Sequence, residues 1–435
     1  MSDVDYLTVL LIAALSAIIA VAVIYILLRT RLTFLLADIP DYRKAHSTPI
    51  PRIGGIAIIV SVLVMTIIWH TFQFRTTIPS ISGEFFLAVI FAAIVIGAIG
   101  VLDDSRSITV LIWHKLVVTT GLAVLTVFVL GISPGAISVF NLFVIPEFTS
   151  KLIAVLWIVG IMNAYNLVDG VDGFAGTVTI ISLLGIAAVS YFNSDCQTVM
   201  LSLFVLSAVV GFMVFNVPPA KVFMGDTGSY FLGYIVALLT IRAAFCLEDS
   251  GKVPVIMPLI TSMPILEVFT TIARRYLKSK GKGGIQTIKF ILTADSFHLH
   301  HRFLLRGFSH LDACIFVGVF MATTAGSAVC IAFSRFPQLN YCIAAYAIIP
   351  VTICLYKLDL ANPIRVLLNR PKKITVVTQE EASQKIKLAG RMFRKTKRWI
   401  FYKDLLTLFF TALPIFVYLG YLILVKETLN NCLCK

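Results

Sequence analysis

Charge is scarce in this sequence. Asp, Glu, Lys and Arg supply 13% of 435 residues, against 59% hydrophobic ones, and mean hydropathy is +0.94. A soluble globular chain of this length needs far more polar surface to cover its core, so that class is excluded. The eight cysteines contain no Cys-x-x-Cys pair, so neither a zinc site nor a disulfide framework is suggested. Most lie in or beside apolar runs, where cysteine behaves as a small hydrophobe; Cys432 and Cys434, near the end, carry no functional reading. Internal repeats and low-complexity tracts are also missing. Asp3 and Asp5, rather than basic residues, precede the first apolar run, and no small-residue cleavage site follows it. That run is expected to be an anchor and not a secretory signal.

What is present is hydrophobicity in blocks of roughly 16–24 residues, about the length an α-helix needs to cross a bilayer. Twelve are expected, near 6–28, 53–70, 85–102, 116–134, 150–165, 174–192, 198–215, 228–246, 253–273, 311–334, 339–356 and 405–425. The predicted fold class is therefore an all-α, polytopic membrane bundle. The loops after the odd-numbered spans, with their span ends, hold 29 of the 36 Lys and Arg residues. By the positive-inside rule both termini should lie outside the cytoplasm. The net charge of +14 is then mostly a topology signal. A nucleic-acid partner is not expected, because the basic residues are spread over interfacial loops without interleaved exposed aromatics.

Polarity gathers at five points: "DYRKAHSTPIPRIGG" (41–55), "GVLDDSRS" (100–107), "NAYNLVDGVDGFAG" (163–176), "NVPPAKVFMGDTGS" (216–229) and "HLHHRFLLRG" (298–307). All five fall on one membrane face by the charge count, an arrangement expected of a single site. In the third, Asn163, Asn166, Asp169 and Asp172 recur every three residues, so near-helical backbone puts each neighbouring pair on one face. Their oxygens are hard ligands suited to Mg²⁺, with Mn²⁺ as the alternative. A plain loop with Asp-Gly turns would not require the paired Asn before it. Asp226, with Thr227 and Ser229, reads either as a helix cap or as part of an anion site. Phe223 and Asn216 flank a Pro-Pro bend and offer a ring and an amide to a planar base. Asp103 and Asp104 end the third span, where an interfacial stop-transfer pair is the simpler reading, and Lys115 starts the fourth, where a lysine is usually an anchor. His298, His300, His301 and Arg302 read as solvated interfacial groups or, on spacing, as a zinc site, but the nearby acids favour oxygen-liking metals, and Arg302 and Arg306 point toward phosphate.

Together these segments resemble the polyprenyl-phosphate N-acetylhexosamine-1-phosphate transferase family, over about Asp38 to Tyr356. The family reaction moves a sugar 1-phosphate from a UDP-sugar to a polyprenyl phosphate and releases UMP. The resemblance implies that Asp226 and Asn166 hold Mg²⁺ and that Asp169 and Asp172 line the same pocket. It places Asn163 among the substrate contacts and Asn216 and Phe223 around the uracil. His298, His300, His301, Arg302, Lys44 and His46 would bind the substrate phosphates or sugar. Asp103 would orient the lipid phosphate, with Asp104 and Lys115 beside it. "HLHH" resembles the loop of the UDP-GlcNAc:undecaprenyl-phosphate branch more than the His-His-His run of the phospho-MurNAc-pentapeptide translocases, so GlcNAc-1-phosphate is the expected cargo. Glu267 stands where relatives commonly carry Asp. The implied setting is a bacterial inner membrane, with the site facing the cytoplasm and membrane lipids as neighbours; a homodimer is left open.

The expected organisation is a transferase core over 1–356, a basic linker over 357–404 with 13 Lys and Arg against four acids, and an extra span within 405–435. Two competing readings are the peptidoglycan translocase and, from another class, a secondary transporter. Transporter sites lie near the midplane, whereas these clusters gather at one interface.

Overall fold

The computed structural model describes residues 6–39, 48–72, 81–105, 110–139, 143–247, 249–279, 303–304, 308–334, 342–347, 349 and 414–415. Its apolar runs form helices: α1 (Tyr6–Leu27), a short α2 (Leu32–Leu35), α3 (Gly54–Phe72), α4 (Gly83–Asp104), α5 (Ile112–Val124), α6 (Glu147–Val168), α7 (Phe174–Phe192), α8 (Cys196–Asn216) and α9 (Gly225–Phe245). These are followed by α10 (Val253–Ile260), α11 (Ser262–Ser279) and α12 (His310–Phe333). Eight helices among the described residues are long and apolar enough to cross a membrane, or nine if a bent pair counts as one span. The chain is a multi-pass membrane protein. The expected eleventh span is described only over 342–347 and 349; the twelfth only at 414–415, and the linker lies outside the described residues.

Three expectations need correction. The ninth block is not one straight span but a broken one, bent by 75° between the segments Ser250–Ile260 and Ser262–Ala273. Pro258 inside α10 removes a backbone donor, and Pro264 is tolerated because it sits in the first turn of α11. The fourth block begins earlier and ends earlier than expected: α5 runs on as a π-helical turn, Leu125–Val129, which stops before Gly131. Finally, the all-α reading missed two small antiparallel ribbons. One pairs β1 (Ala37–Asp38) with β2 (Ile50–Pro51), the other β3 (Ile137–Val139) with β4 (Phe143–Ile145).

Helix α9 is the axis of the bundle, with nearly all of its side chains buried. It packs chiefly against α6 and α4, and also against α3 and α7. Lipid tails are as apolar as leucine, so such contacts rest on close packing rather than on exclusion of water. The contact with α3 shows this. A Cβ added at Gly55 would lie 2.2 Å from the Gly228 backbone nitrogen, so backbone meets backbone there. The strand-like segment before α9 is fastened to the same place. Phe223 N donates to Pro51 O (2.9 Å), Gly54 N to Phe223 O (3.0 Å) and Gly55 N to Met224 O (2.9 Å). This lashing brings the first and fourth polar clusters side by side.

It follows that Gly55→Val should destabilise the folded protein by at least about 1–3 kcal/mol, the usual cost of overpacking. Gly83→Ala, where an added Cβ meets nothing within 4 Å, should be near neutral. Thermal unfolding of both variants in detergent checks this; equal effects would contradict the backbone contact.

Candidate active site

The site is built where the C-terminus of α4 meets the N-terminus of α9. Asp104 is buried, and its carboxylate takes the Asp226 and Thr227 backbone N–H groups (3.0 and 3.1 Å) and the Thr227 hydroxyl (2.8 Å). It thus satisfies donors that a helix start leaves open, where the positive end of the helix dipole also favours an anion. Gly225 makes the approach feasible. Its φ is +72°, and a Cβ there would fall 2.5 Å from an Asp104 oxygen. Arg52 closes the arrangement: Nη1 lies 3.5 Å from Asp104 Oδ1, while Nη2 donates to Asp38 Oδ1 at 2.7 Å.

Asp103, one residue back on α4, turns to the other side, as the roughly 100° step of a helix requires. Lys115 of α5 reaches it at 2.6 Å and reaches Asp226 Oδ2 at 2.5 Å, so one ammonium stands between two carboxylates. The Asn166 amide of α6 donates to Asp226 Oδ1 (3.0 Å) and Ser229 Oγ (3.3 Å). Tyr230 lies beside them, its ring centroid 5.8 Å from Lys115 Nζ. Asp103, Lys115, Asp226 and Tyr230 border a small recess whose remaining lining includes Ile96, Ile99 and Val118.

A second group forms at the loop between α6 and α7. Asp172 Oδ2 accepts from Ala220 N (3.1 Å) and stands 3.2 Å from His310 Nδ1. Asn216 is buried; its oxygen accepts from Gly173 N (2.9 Å) and its nitrogen donates to Val222 O (2.8 Å). Both ends of that amide therefore tie loops together. Asp169 belongs electrostatically to both groups. Burial first, then the carboxylates of Asp226 and Asp104, push its carboxyl up to about 7, with Arg52 opposing.

Residues 86–244 match the family described as Glycosyl transferase family 4. A Bacillus subtilis protein named "Probable undecaprenyl-phosphate N-acetylglucosaminyl 1-phosphate transferase" is 31% identical over 282 residues, 63% of this chain and 71% of its own length. The chain belongs to glycosyl transferase family 4. A phospho-N-acetylmuramoyl-pentapeptide-transferase of Streptococcus agalactiae is 29% identical over 293 residues, 62% of this chain and 83% of its own. Another of that name, from Streptococcus pyogenes, is 35% identical over 201 residues, 44% of this chain and 58% of its own.

Against the expectations, the family member brings Asp103, Lys115, Asp226 and Asn166 into one cluster, with Asp104 bound to its backbone. Asn163 sits one turn before Asn166; its amide bonds back to Val159 O (2.7 Å), and the Tyr230 hydroxyl is 3.5 Å from its oxygen. Phe223 is half-buried beside β2. The capping reading of Asp226 does not hold, because it lies inside the first turn and Asp104 does the capping. Lys44, His46, His298, His300, His301 and Arg302 lie outside the described residues. Two residues were missed, Arg52 and His310. Each sits in or near a quoted motif, but only the fold reveals which acid it faces. Among the described residues no three of His, Cys, Asp and Glu converge closely enough to cage a metal. The oxygens of Asp226 and Asn166 nonetheless suit a hard cation that takes its other ligands from substrate phosphates.

Two outcomes follow. Asp104→Asn should cost about 1–3 kcal/mol of stability, because both Asp104 oxygens accept hydrogen bonds and an amide nitrogen in place of one leaves a buried donor unpaired, whereas Asp103→Asn should leave the melting temperature nearly unchanged; comparable shifts would contradict the division of labour. For Asp169, the folded value of about 7 lies above the ordinary carboxylate value of 3.8. A wild-type protein kept free of divalent cations should therefore lose stability as pH rises from about 4 to about 7, then level off. Asp169→Asn should flatten that dependence, matching wild type at pH 4 and exceeding it at pH 8 in thermal melts.

Proposed function

We propose that this protein transfers GlcNAc 1-phosphate from UDP-GlcNAc to undecaprenyl phosphate and releases UMP, starting a cell-envelope polysaccharide. The observation that carries the reading is the Lys115 ammonium held between Asp103 and Asp226 at the buried start of α9. The names of the similar proteins support the reaction class. The "HLHH" motif favours the GlcNAc branch.

In this reading the chain supplies placement and charge, which phosphoryl transfer chiefly needs. The lipid phosphate has a second pKa of about 6 and arrives largely ionised, so Asp103 orients it rather than deprotonating it. Lys115 neutralises charge as the phosphate oxygen attacks the sugar-bearing phosphorus in line and UMP departs. Arg52, with a partly exposed guanidinium, faces the same charge from the α3 side. Asn216 holds the 170–173 and 217–222 loops in register, which sets Phe223 for stacking on uracil. Bound Mg²⁺, held by Asp226 and Asn166, would neutralise the pyrophosphate. The site would face the cytoplasm of a bacterial inner membrane, where UDP-sugars are made.

The purified protein should release UMP from UDP-GlcNAc only when undecaprenyl phosphate and Mg²⁺ are both present. Asp226→Asn should fold and insert normally yet lose at least about 10²-fold in turnover, the usual scale for a transition-state electrostatic contact. A panel of UDP-sugars decides the branch. Turnover of UDP-MurNAc-pentapeptide in place of UDP-GlcNAc would move the protein to the translocase branch, and wild-type activity of Asp226→Asn would remove that residue from the site.

A further inference from the structure

The far end of the same helices carries a second built feature. Helix α4 spans 22 residues and α9 spans 21, so Ser82 lies about 33 Å from Asp104 and Arg242 about 24 Å from Asp226, toward the opposite membrane face. There a cavity of about 300 Å³ opens, lined by Ser82, Glu84, Phe85, Ser133, Arg242 and Phe245 among others. That is the lower end of the range for small-molecule sites, roughly 300–1,000 Å³. The π-helical turn Leu125–Val129 and Gly131, with φ +71°, carry the chain around one side of it.

Arg242 is paired with Asp195 through Nε alone, and its two terminal nitrogens are left open to the cavity. Arg242 lies between two rings, its guanidinium carbon 5.6 Å from the Phe85 centroid and 5.7 Å from that of Phe245. Its Nε donates to Asp195 Oδ2 at 3.3 Å. The same Oδ2 also accepts from the Thr198 hydroxyl (2.6 Å) and the Cys246 thiol (3.3 Å), and Asp195 is buried. Among the described residues nothing bonds to the two terminal nitrogens of Arg242, a ready-made fork for a phosphate. The Glu84 carboxylate, on another wall, also has no partner among them. Each charge suits the helix end it occupies, Glu84 in the first turn of α4 and Arg242 in the last turn of α9. The helix ends explain why the charges are there; they do not satisfy their outward-facing atoms. Beside the cavity, Val129 and Phe245 are exposed to 70% and 53%, which gives it an apolar flank.

We infer that this cavity binds the phosphoethanolamine headgroup of a membrane phospholipid, with the phosphate on the Arg242 fork and the ammonium on Glu84. The acyl chains run down over Val129. A free phosphate would use Arg242 but neither Glu84 nor the apolar flank; an anionic headgroup would be repelled by Glu84. The inference is independent of the sugar and of the chemistry at the other face.

Native mass spectrometry of the intact protein, exchanged into micelles with equal phosphatidylethanolamine, phosphatidylglycerol and phosphatidylcholine, tests it. Wild type should retain one phosphatidylethanolamine at least 10-fold above either competitor. Glu84→Gln should erase that preference while lipid still binds, and Arg242→Gln should lower retention of all three classes. Arg242 also braces Asp195, so Ser133→Trp, which fills the cavity and leaves that pair alone, is the second variant; it should lose the bound lipid with its melting temperature unchanged. Equal retention of the three lipids by wild type overturns the inference. So does an undiminished phosphatidylethanolamine preference in either Glu84→Gln or Ser133→Trp.

Discussion

One carboxylate holds the start of the central helix, and the site is arranged around that contact. Asp104 accepts three hydrogen bonds from Asp226 and Thr227, with Arg52 at its other flank. A buried carboxylate costs several kcal/mol in lost hydration unless donors replace the water. Here the helix N-terminus, a hydroxyl and a guanidinium do so. The consequence for Asp226 is geometric. Its backbone is pinned to α4, so its side chain must point across to Lys115 of α5 and Asn166 of α6. Any looseness at Gly225 or Asp104 would be transmitted directly to the Asp226 contacts with Lys115 and Asn166.

For the anionic substrates of the proposed reading, the site is rich in acids. Asp103, Asp104, Asp169, Asp172 and Asp226 stand against Lys115 and Arg52. Two devices keep this tolerable. Lys115 is shared between Asp103 and Asp226, and Asp169 holds a proton up to about pH 7. On the proposed reading, the excess of oxygen donors is what recruits a divalent cation along with the anionic substrates.

Much of this was legible in the sequence, for reasons that differ by level. Spans were readable because a bilayer imposes one length and one composition on each helix. The ninth misled, since a run of apolar residues hides the effect of Pro258 and Pro264 on the backbone. The clusters at 163–176 and 216–229 were readable because polarity inside an apolar chain is costly and so is seldom accidental. What could not be read was the pairing. Adjacent Asp103 and Asp104 look equivalent as letters, yet one faces Lys115 and the other caps α9. Likewise Asn216 could be marked as a polar group in the right place, but only its neighbours Gly173 and Val222 reveal that it braces two loops. Arg52 escaped notice because its partners, Asp38 and Asp104, are brought to it by the β1–β2 ribbon and by α4.

The central claim is that Asp103, Lys115 and Asp226 act as one unit in the transfer. A double-mutant cycle on UMP release, using Asp103→Asn, Lys115→Met and the pair together, tests this most directly. Residues that act as a unit lose most of their effect with the first removal. The account predicts that the double variant is no slower than the slower single variant, within about threefold. Losses that multiply, as for independent sites, would contradict it.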